Sequence, residues 1–293
     1  MVTLSVLAVV AGAFEYWRTH RAQPEPTREL WFQGVDYERL VRVRPRPIVA
    51  HVVRIDLGAP GIEFVVTPPE PTAKGDVRSR TTSAFLEQHG LQVAINASYF
   101  YPFRNDHPLS YEPRTGDPVR VVGPTASRGA RYGTPLGSAA TLYLSRDGQV
   151  SFDGSSGEIW NAVSGLGYVL ESGARAKLVE DAFTRAPYPR TIAATDASAR
   201  TLLLLVVDGK QPGYSEGVTL AEAAELLLEL GAFTAIQLDG GGSSTLVRSD
   251  TDGGARVVSS PANFKVPGWE RSIGTSLGIK ATRLPHGITP PLR

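Results

Sequence analysis

Residues 202–246 read LLLLVVDGKQPGYSEGVTLAEAAELLLELGAFTAIQLDGGGSSTL, and this stretch decides the fold class. Its first part, residues 202–207, is a continuous apolar run, which is typical of a strand covered on both faces. Residues 219–230 have the pattern of an amphipathic helix. Residues 234–238 form a second apolar run. Strand, helix and strand in this order predict a right-handed crossover between two parallel strands.

The helix of this unit carries its own start and stop signals. Thr219 and Glu222 have the spacing of a capping box, in which each side chain bonds a backbone N–H at the helix start. Gly231 follows the last apolar residue and suits the left-handed position after a helix. The core-facing stripe recurs at helical spacing and consists of Leu220, Ala223, Leu227 and Leu230.

The rest of the chain is rich in short β patterns. The sequence predicts an α+β fold, with a mixed β-sheet core that contains the βαβ unit and with peripheral hairpins and helices. Two strand pairs read as hairpins, and each is separated by a turn sequence with glycine. They are residues 51–57 with 62–67, around GAPG, and residues 140–145 with 149–152. Residues 101–137 hold many Gly, Pro and charged residues and are predicted to be a long loop region.

Bulk composition excludes several classes of function. The formal net charge is +1 and charged residues make up 20% of the 293 positions. Nucleic-acid binding needs a concentrated basic face, so no nucleic-acid partner is expected. The absence of cysteine excludes disulfides and thiolate metal sites. The five histidines lack metal-ligand spacing. No cofactor is expected, although a divalent cation bound by carboxylates near Asp239 stays open.

The N-terminus predicts export. Residues 2–14 form a short apolar run with small residues at its end, which resembles a secretory signal peptide or a short anchor. The alternative is a helix packed on the core. We therefore divide the chain into residues 1–28 (signal or anchor plus linker), 29–285 (the folded domain that would carry any activity) and 286–293 (a tail). The expected location is extracellular or at the cell envelope, with membrane contact only through the N-terminal anchor.

Two carboxylates follow the two strands of the βαβ unit. Asp208 ends the first strand and Asp239 ends the second. Parallel strands place their C-terminal ends on the same edge of a sheet, where open α/β sheets bind ligands. If the strands are neighbours, or one apart, both carboxylates face one crevice. Paired carboxylates are the usual requirement for hydrolysis of a glycosidic bond.

The residues after Asp239 form a candidate anion cradle. Glycines permit close backbone approach, and successive N–H groups with hydroxyls can surround an anion. Arg190 could clamp a phosphate with its planar fork. Asn96 ends a predicted strand and could bond a ligand hydroxyl. The candidate cradle residues are Gly240, Gly241, Gly242, Ser243, Ser244 and Thr245.

A competing pattern points to a serine hydrolase. Gly213 to Gly217 satisfies G-x-S-x-G around Ser215, and Asp239 and His286 follow in the order of a hydrolase triad. A nucleophile elbow needs its serine on a sharp turn directly between strand and helix. Here Lys210, Gln211 and Pro212 intervene after the strand and the helix starts later, so this alternative is the weaker one.

Several segments together resemble the phosphodiester glycosidase family. The most specific combination is LDGGGSSTL (238–246) with the preceding VVDGKQPGYSEGVTLAEAAELLLELGA (206–232). The weaker segments are AINASYF (94–100), NAVSGLGYVLESG (161–173), PRT (189–191) and ERSIGTSLGI (270–279). The resemblance implies a hydrolase that removes a sugar from a sugar-1-phosphodiester or phosphoglycan.

The resemblance also implies functional positions. Matched residue by residue, it indicates Asn96, Arg190, Asp208, Asp239 and the run from Ser243 to Thr245. We hypothesise that Arg190, the glycine backbone and the serines hold the phosphate, and that Asp239 or Asp208 acts as base or nucleophile. Asn96 would bind a sugar hydroxyl. The second hypothesis is an envelope domain that binds a phosphorylated glycan without cleaving it.

Overall fold

A computed structural model describes residues 12–107, 110–137, 139–152, 154, 159–177 and 181–285, with backbone only for residues 105–107. Residues 12–19 are helical. Three further α-helices follow: α1 (Thr82–His89), α2 (Ala182–Arg185) and α3 (Leu220–Glu229). None of the helices in the described part of the chain is both long and apolar enough to cross a membrane. The predicted signal lies mostly outside the described residues, so export stays a prediction.

Twenty-three strands are present in the described ranges. In chain order they are β1 (Thr27–Phe32), β2 (Val35–Arg42), β3 (Ile48–Asp56), β4 (Glu63–Val66), β5 (Val77–Arg78), β6 (Val93–Asn96), β7 (Phe100–Tyr101), β8 (Arg104–His107), β9 (Ser110–Glu112), β10 (Pro118–Val121), β11 (Thr125–Ser127), β12 (Ala130–Tyr132), β13 (Ala140–Leu144), β14 (Val150–Ser151), β15 (Asn161–Gly165), β16 (Gly167–Glu171), β17 (Ala174–Arg175), β18 (Arg190–Thr195), β19 (Thr201–Val207), β20 (Thr234–Gln237), β21 (Leu246–Ser249), β22 (Ala255–Val257) and β23 (Ser276–Lys280).

Three sheets make up most of the molecule. The main sheet has eight strands in the order β1-β2-β3-β19-β18-β20-β16-β17. The second sheet has the order β22-β21-β6-β23-β4, and the third has the order β12-β11-β15-β13-β14. The strand-rich architecture with a few helices confirms the predicted α+β class.

The main sheet is buried on both faces. Side chains from alternate positions of β19 pack to opposite sides, because successive residues of a strand point to opposite faces. Leu202, Leu204 and Val206 join a core shared with the second and third sheets. Leu203, Leu205 and Val207 join a core covered by α3. The continuous apolar run therefore has the two-sided burial that the sequence predicts.

The βαβ unit is present, with one strand inserted. Strands β19 and β20 both pair antiparallel with β18, so they are parallel to each other and one strand apart. Helix α3 connects them, and its capping box between Thr219 and Glu222 is formed. Gly231 has a φ of +82°, as expected for the residue after a helix. The C-terminal ends of β19 and β20 thus lie on the same edge, about 10 Å apart at the usual strand spacing.

Two local predictions are wrong. Residues 51–57 and 62–67 do not form a hairpin, because β3 belongs to the main sheet and β4 to the second sheet. The GAPG turn carries the chain from one layer of the core to the other. Residues 101–137 contain short strands, β8 to β12 among them, where a loop region was expected. Strands β8 to β12 have three or four residues each, too few for an alternating pattern to be visible.

Candidate active site

Asp239 lies where the main sheet meets the second sheet. Strand β20 ends at Gln237, and the next residue donates its backbone N–H to the carbonyl of Thr191 in β18. The N–H of Asp239 then donates to the carbonyl of Ala97, just after β6, at 2.8 Å. The carboxylate is therefore held by backbone contacts to both layers, at the edge where the sequence predicts a ligand.

A cavity of about 240 Å³ opens beside this carboxylate, and we call it the Asp239 pocket. Its walls combine aromatic rings, two cationic side chains and the glycine loop. Among the described lining residues Asp239 is the sole carboxylate. The lining consists of Tyr99, Phe100, Phe103, Phe183, Tyr188, Lys210, Asp239, Gly240, Gly241, Gly242 and Arg271.

The glycines after Asp239 are required by close contacts. Gly241 has a φ of +65°, and a Cβ on it would lie 2.9 Å from the ring of Tyr188. A Cβ on Gly242 would lie 2.3 Å from Nη2 of Arg271. Side chains at these positions would displace a ring or a guanidinium from the pocket wall. The glycine run is thus the surface against which Tyr188 and Arg271 pack.

Arg271 is the principal cation of the Asp239 pocket. Its Nη1 donates to Oγ of Ser243 at 3.2 Å, and its Nε donates to Oδ1 of Asn263 at 3.2 Å. The guanidinium also lies 4.4 Å from the ring centroid of Phe103. The sequence reasoning did not identify Arg271, although it lies in the segment ERSIGTSLGI that carries part of the family resemblance.

Burial controls the electrostatics of the pocket. It raises the pKa of Asp239 to about 6, because the charged carboxylate loses water. A hydrogen bond from Ser243, the charge of Arg271 and the N–H of Gly240 oppose this rise. Burial also lowers the pKa of Arg271, while the carboxylate of Asp239 favours its charged form. Asp239 therefore changes its charge close to neutral pH.

Lys210 is a second cation of the pocket. Its Nζ donates to the hydroxyl of Tyr188 at 2.6 Å. Its backbone has a φ of +60°, a left-handed conformation that is uncommon for a residue with a side chain. This unusual backbone is held in the turn after β19 and places the ammonium on the pocket wall.

Asn96 is buried and its polar atoms are used inside the protein. Its Nδ2 donates to the carbonyl of Asp239 at 2.5 Å. Its Oδ1 accepts from Oγ1 of Thr191 at 2.8 Å and from the N–H of Thr245 at 3.0 Å. These contacts tie β6 to β18 and to both ends of the glycine loop. The geometry favours a positioning role for Asn96 over contact with a sugar.

Arg190 is fully buried and lies behind the pocket wall. Its guanidinium donates to the carbonyls of Phe183, Ala186 and Val218 and to Oε1 of Gln237. It also stacks on the ring of Phe183 at 4.4 Å. Because these protein groups occupy its donors, the geometry does not present Arg190 to a phosphate. The clamp predicted for it stays untested, and Arg271 is the arginine that lines the pocket.

Asp208 lies on the expected edge, but its carboxylate does not line the Asp239 pocket. Oδ1 accepts from the N–H of Ser260 at 2.8 Å, and Oδ2 accepts from the hydroxyl of Tyr214 at 3.3 Å. Oδ2 also lies 3.1 Å from Nε2 of His51. One of these partners, His51, lies in β3, and none of them lies in β18. The two strand-end carboxylates thus share an edge without sharing a crevice.

The hydroxyl residues of the cradle are buried behind the glycines. Ser243 bonds both Asp239 and Arg271, so it couples the carboxylate to the cation. Oγ1 of Thr245 donates to the carbonyl of Ser243 at 3.0 Å. Oγ of Ser244 is buried without a hydrogen-bond partner among the described residues. Ser243 is accordingly the hydroxyl with a direct electrostatic effect on Asp239.

Ser215 does not have the geometry of a nucleophile. It is fully buried, its Oγ donates to the carbonyl of Asp208 at 2.6 Å, and the same oxygen accepts from the N–H of Val49 at 3.0 Å. His286, the histidine of that alternative, lies outside the described residues. Ser215 thus connects the turn after β19 to β3 through these two hydrogen bonds.

Replacing Ser215 by alanine should therefore reduce stability and spare catalysis. The substitution leaves a buried N–H and a buried carbonyl without their partner, which should lower the free energy of unfolding by about 2 kcal/mol. Urea denaturation measures this loss, and steady-state kinetics on any substrate found should give a kcat/KM close to wild type. A complete loss of turnover in a folded variant would reinstate the serine-hydrolase reading.

The described residues contain no group of three or more His, Asp or Glu side chains that could hold a metal ion. The divalent cation left open from the sequence has no ligand set in that part of the chain.

Comparison with known proteins relates this geometry to a family. A family model described as phosphodiester glycosidase matches residues 89–280. This range includes the glycine loop, Arg271 and the other described residues that line the Asp239 pocket. No curated protein matches the sequence.

Solved structures share the fold at low sequence identity. The catalytic domain of zebrafish N-acetylglucosamine-1-phosphodiester alpha-N-acetylglucosaminidase, auto-inhibited by its pro-peptide, aligns over 89% of this chain and 85% of its own, with 21% identity and a TM-score of 0.60. A hypothetical protein from Synechocystis aligns over 87% of this chain and 64% of its own, with 14% identity and a TM-score of 0.55. A candidate exported protein from Burkholderia pseudomallei aligns over 80% and 74%, with 15% identity and a TM-score of 0.52. At these identities the likeness shows the fold alone.

Proposed function

Because the chain belongs to the phosphodiester glycosidase family, we propose that it hydrolyses the glycosidic bond of a sugar-1-phosphodiester. The observation that carries this proposal is the Asp239 pocket, which sets one buried carboxylate beside a buried guanidinium and a glycine loop. A carboxylate suits the sugar carbon under attack, and the cation suits the phosphate that leaves.

The phosphate is assigned to Arg271. A phosphate ester is already a good leaving anion, since the second pKa of phosphate is about 6. Protonation by an acid therefore adds little, and stabilising the charge that develops on the leaving oxygen matters more. Arg271 supplies this charge from a low-dielectric wall, and Lys210 adds a second positive group. This division of labour explains why one carboxylate in the pocket is enough.

Asp239 is assigned the role of general base. It would take a proton from the water that attacks the anomeric carbon while Arg271 holds the departing phosphate. General bases work best when their pKa lies near the working pH. The pKa of about 6 that burial gives Asp239 meets this condition. Asn96 and Ser243 act through Asp239, because they hold its backbone and its carboxylate.

The alternative is a domain that binds a phosphoglycan without cleaving it. The lining of the Asp239 pocket does not favour this alternative. A buried carboxylate repels a bound phosphate, so a pure binding site would be better without Asp239. Export to the cell envelope, predicted from residues 2–14, would place the enzyme where phosphorylated glycans occur. Export to the cell envelope is therefore part of the proposed function.

The pH dependence of turnover tests the proposal. A panel of sugar-1-phosphodiesters should include a substrate that the wild-type protein hydrolyses to a free sugar and a phosphomonoester. Because the base must be ionised, kcat/KM should rise with pH and level off above about 6. The phosphodiester keeps a single negative charge throughout this range, so the enzyme alone titrates. Binding of such diesters without any turnover would support the non-catalytic alternative, and a profile that falls through pH 6 would make Asp239 an acid.

A further inference from the structure

A second cavity adjoins the Asp239 pocket. It has a volume of about 520 Å³, and we call it the Gly167 cavity. The ring of Phe183 lines both cavities. Gln237 lines the Gly167 cavity, and its Nε2 donates to the hydroxyl of Tyr99 in the Asp239 pocket at 2.9 Å. Phe183 and the hydrogen bond between Gln237 and Tyr99 thus lie where the two spaces meet.

Arg190 contacts both residues of this shared wall, Phe183 and Gln237. Arg190 donates to the carbonyl of Phe183 and to Oε1 of Gln237, so one buried guanidinium fixes both wall residues. Its stacking on the Phe183 ring adds a third contact. Arg190 does not line the Asp239 pocket itself, and these contacts give it a structural role at the shared wall. It holds Phe183 and Gln237 in place where the two cavities meet.

The order of groups along the pocket indicates which part of a substrate approaches this wall. Arg271 donates to Ser243, and both residues act on the carboxylate of Asp239, so the proposed function places the phosphate beside them. Tyr99 also lines the Asp239 pocket, and its hydroxyl accepts from Gln237, which lines the Gly167 cavity. Because the sugar ring and the phosphate extend in different directions from the anomeric carbon, the ring falls on the Tyr99 side.

The lining of the Gly167 cavity suits an uncharged carbohydrate. Leu166, Phe183 and Leu220 offer apolar surface for the faces of a sugar ring, and Leu166 is 43% exposed. The charged residues described in its lining are Glu171, Lys177 and Asp181, with two carboxylates and one ammonium. The carboxylates can accept hydrogen bonds from hydroxyl groups. A net negative lining disfavours a further phosphate or carboxylate.

We propose that the Gly167 cavity is a second subsite, which receives an uncharged sugar unit attached to the glycosyl group that is cleaved from phosphate. The inference rests on the proposed function of the Asp239 pocket. The Asp239 pocket, with about 240 Å³, has room for little beyond one glycosyl phosphate, whereas the adjoining cavity is larger. The enzyme would accordingly prefer to release an extended glycosyl group over a single sugar.

A large side chain introduced at Gly167 should fill this subsite. Gly167 pairs with Gln237 across the β16–β20 ladder, and both residues line the Gly167 cavity. A Cβ on Gly167 meets no atom within 4 Å, and its φ is not left-handed. The side chain of Gly167→Phe should therefore begin in open space and extend into the cavity that Gly167 lines. Gly137 is equally open and lies outside both cavities, so Gly137→Phe is the matched control.

Three sugar-1-phosphodiesters test the proposal by their kcat/KM ratios, two with methanol as the alcohol and the third with a larger alcohol. The first carries one sugar, the second carries a disaccharide as the glycosyl group, and the third carries one sugar and an enlarged alcohol. Wild type should prefer the disaccharide over the single sugar by about tenfold, and Gly167→Phe should abolish this preference. Gly137→Phe should keep it.

Each contrary result has a distinct meaning. If Gly167→Phe instead removes a preference for the enlarged alcohol, the cavity receives the other half of the diester and the proposal is overturned. It is also overturned if all ratios stay at their wild-type values in a variant with unchanged thermal unfolding. If wild type cleaves none of the three diesters or any other in the panel, the proposed function itself fails.

Discussion

Replacing Asp239 by asparagine should abolish turnover and at the same time make the protein more stable at pH 8. Loss of a general base should lower kcat by about 10³-fold. The pKa of Asp239 rises from an ordinary 3.8 to about 6 on folding, so the folded protein binds this proton more tightly than the unfolded chain. The stabilising effect of the protonated carboxyl is present at low pH and lost as pH rises through 6.

The asparagine variant should escape this loss. A shift of about two units corresponds to about 3 kcal/mol of unfolding free energy, which wild type lacks at pH 8 and the neutral amide retains. Urea denaturation at pH 8 and at pH 4.5 measures it, and the difference between the proteins should shrink at the lower pH. An Asp239→Asn protein that is less stable than wild type at pH 8 would contradict the assigned electrostatics.

Asp208 provides the matched comparison. It is also a strand-end aspartate, but its oxygens accept from Ser260 and Tyr214 and contact His51. An amide nitrogen at that position would face a donor, so Asp208→Asn should lower the free energy of unfolding by about 2 kcal/mol. The two substitutions should therefore change stability in opposite directions. If Asp208→Asn lost turnover while keeping its stability, Asp208 would have a direct role in the reaction.

Replacing Arg271 by glutamine should impair cleavage selectively for phosphate leaving groups. Removal of one preorganised donor that stabilises developing negative charge lowers kcat by about 10²- to 10³-fold. A p-nitrophenyl glycoside of the same sugar has a leaving group without a phosphate, so its kcat/KM should fall much less. Equal losses on both substrates would show that Arg271 holds the pocket together rather than the phosphate.

Arg190 is the natural control for this substitution. Both arginines are buried and each stacks on a phenylalanine ring at 4.4 Å, but the guanidinium of Arg190 bonds protein carbonyls instead of lining the pocket. Arg190→Gln should reduce stability and should affect the phosphodiester and the aryl glycoside alike. A selective loss with the phosphodiester would return the phosphate clamp to Arg190.

Local sequence patterns were sufficient for the βαβ unit and for the loop that follows it. The capping box, the apolar stripe and the terminal glycine of α3 act within a few residues of each other, so they do not depend on distant partners. The same holds for the two-sided burial of β19, since a run of large apolar residues can be satisfied only between two layers. The sequence could predict Asp239 and the glycine loop together because they follow one another directly in the chain.

The grouping of side chains around the pocket depended on the tertiary structure. Insertion of β18 between β19 and β20 separates the two strand ends, and the contacts of Asp208 then run towards β3 instead of into the pocket. Arg271 reaches the glycine loop from a distant segment, and it does so because Gly242 leaves space for its guanidinium. No periodicity within the chain encodes such an approach.

The sequence by itself thus determined the α+β class, the strand-end loop and the carboxylate at its start, because these follow from local propensity and burial. Tertiary structure alone decided which of two aspartates faces the pocket and which of two arginines accompanies it. Each of these charged groups must satisfy its hydrogen bonds wherever it is buried. The partners that do so come from strands and turns far away in the chain, and packing of the sheets selects them.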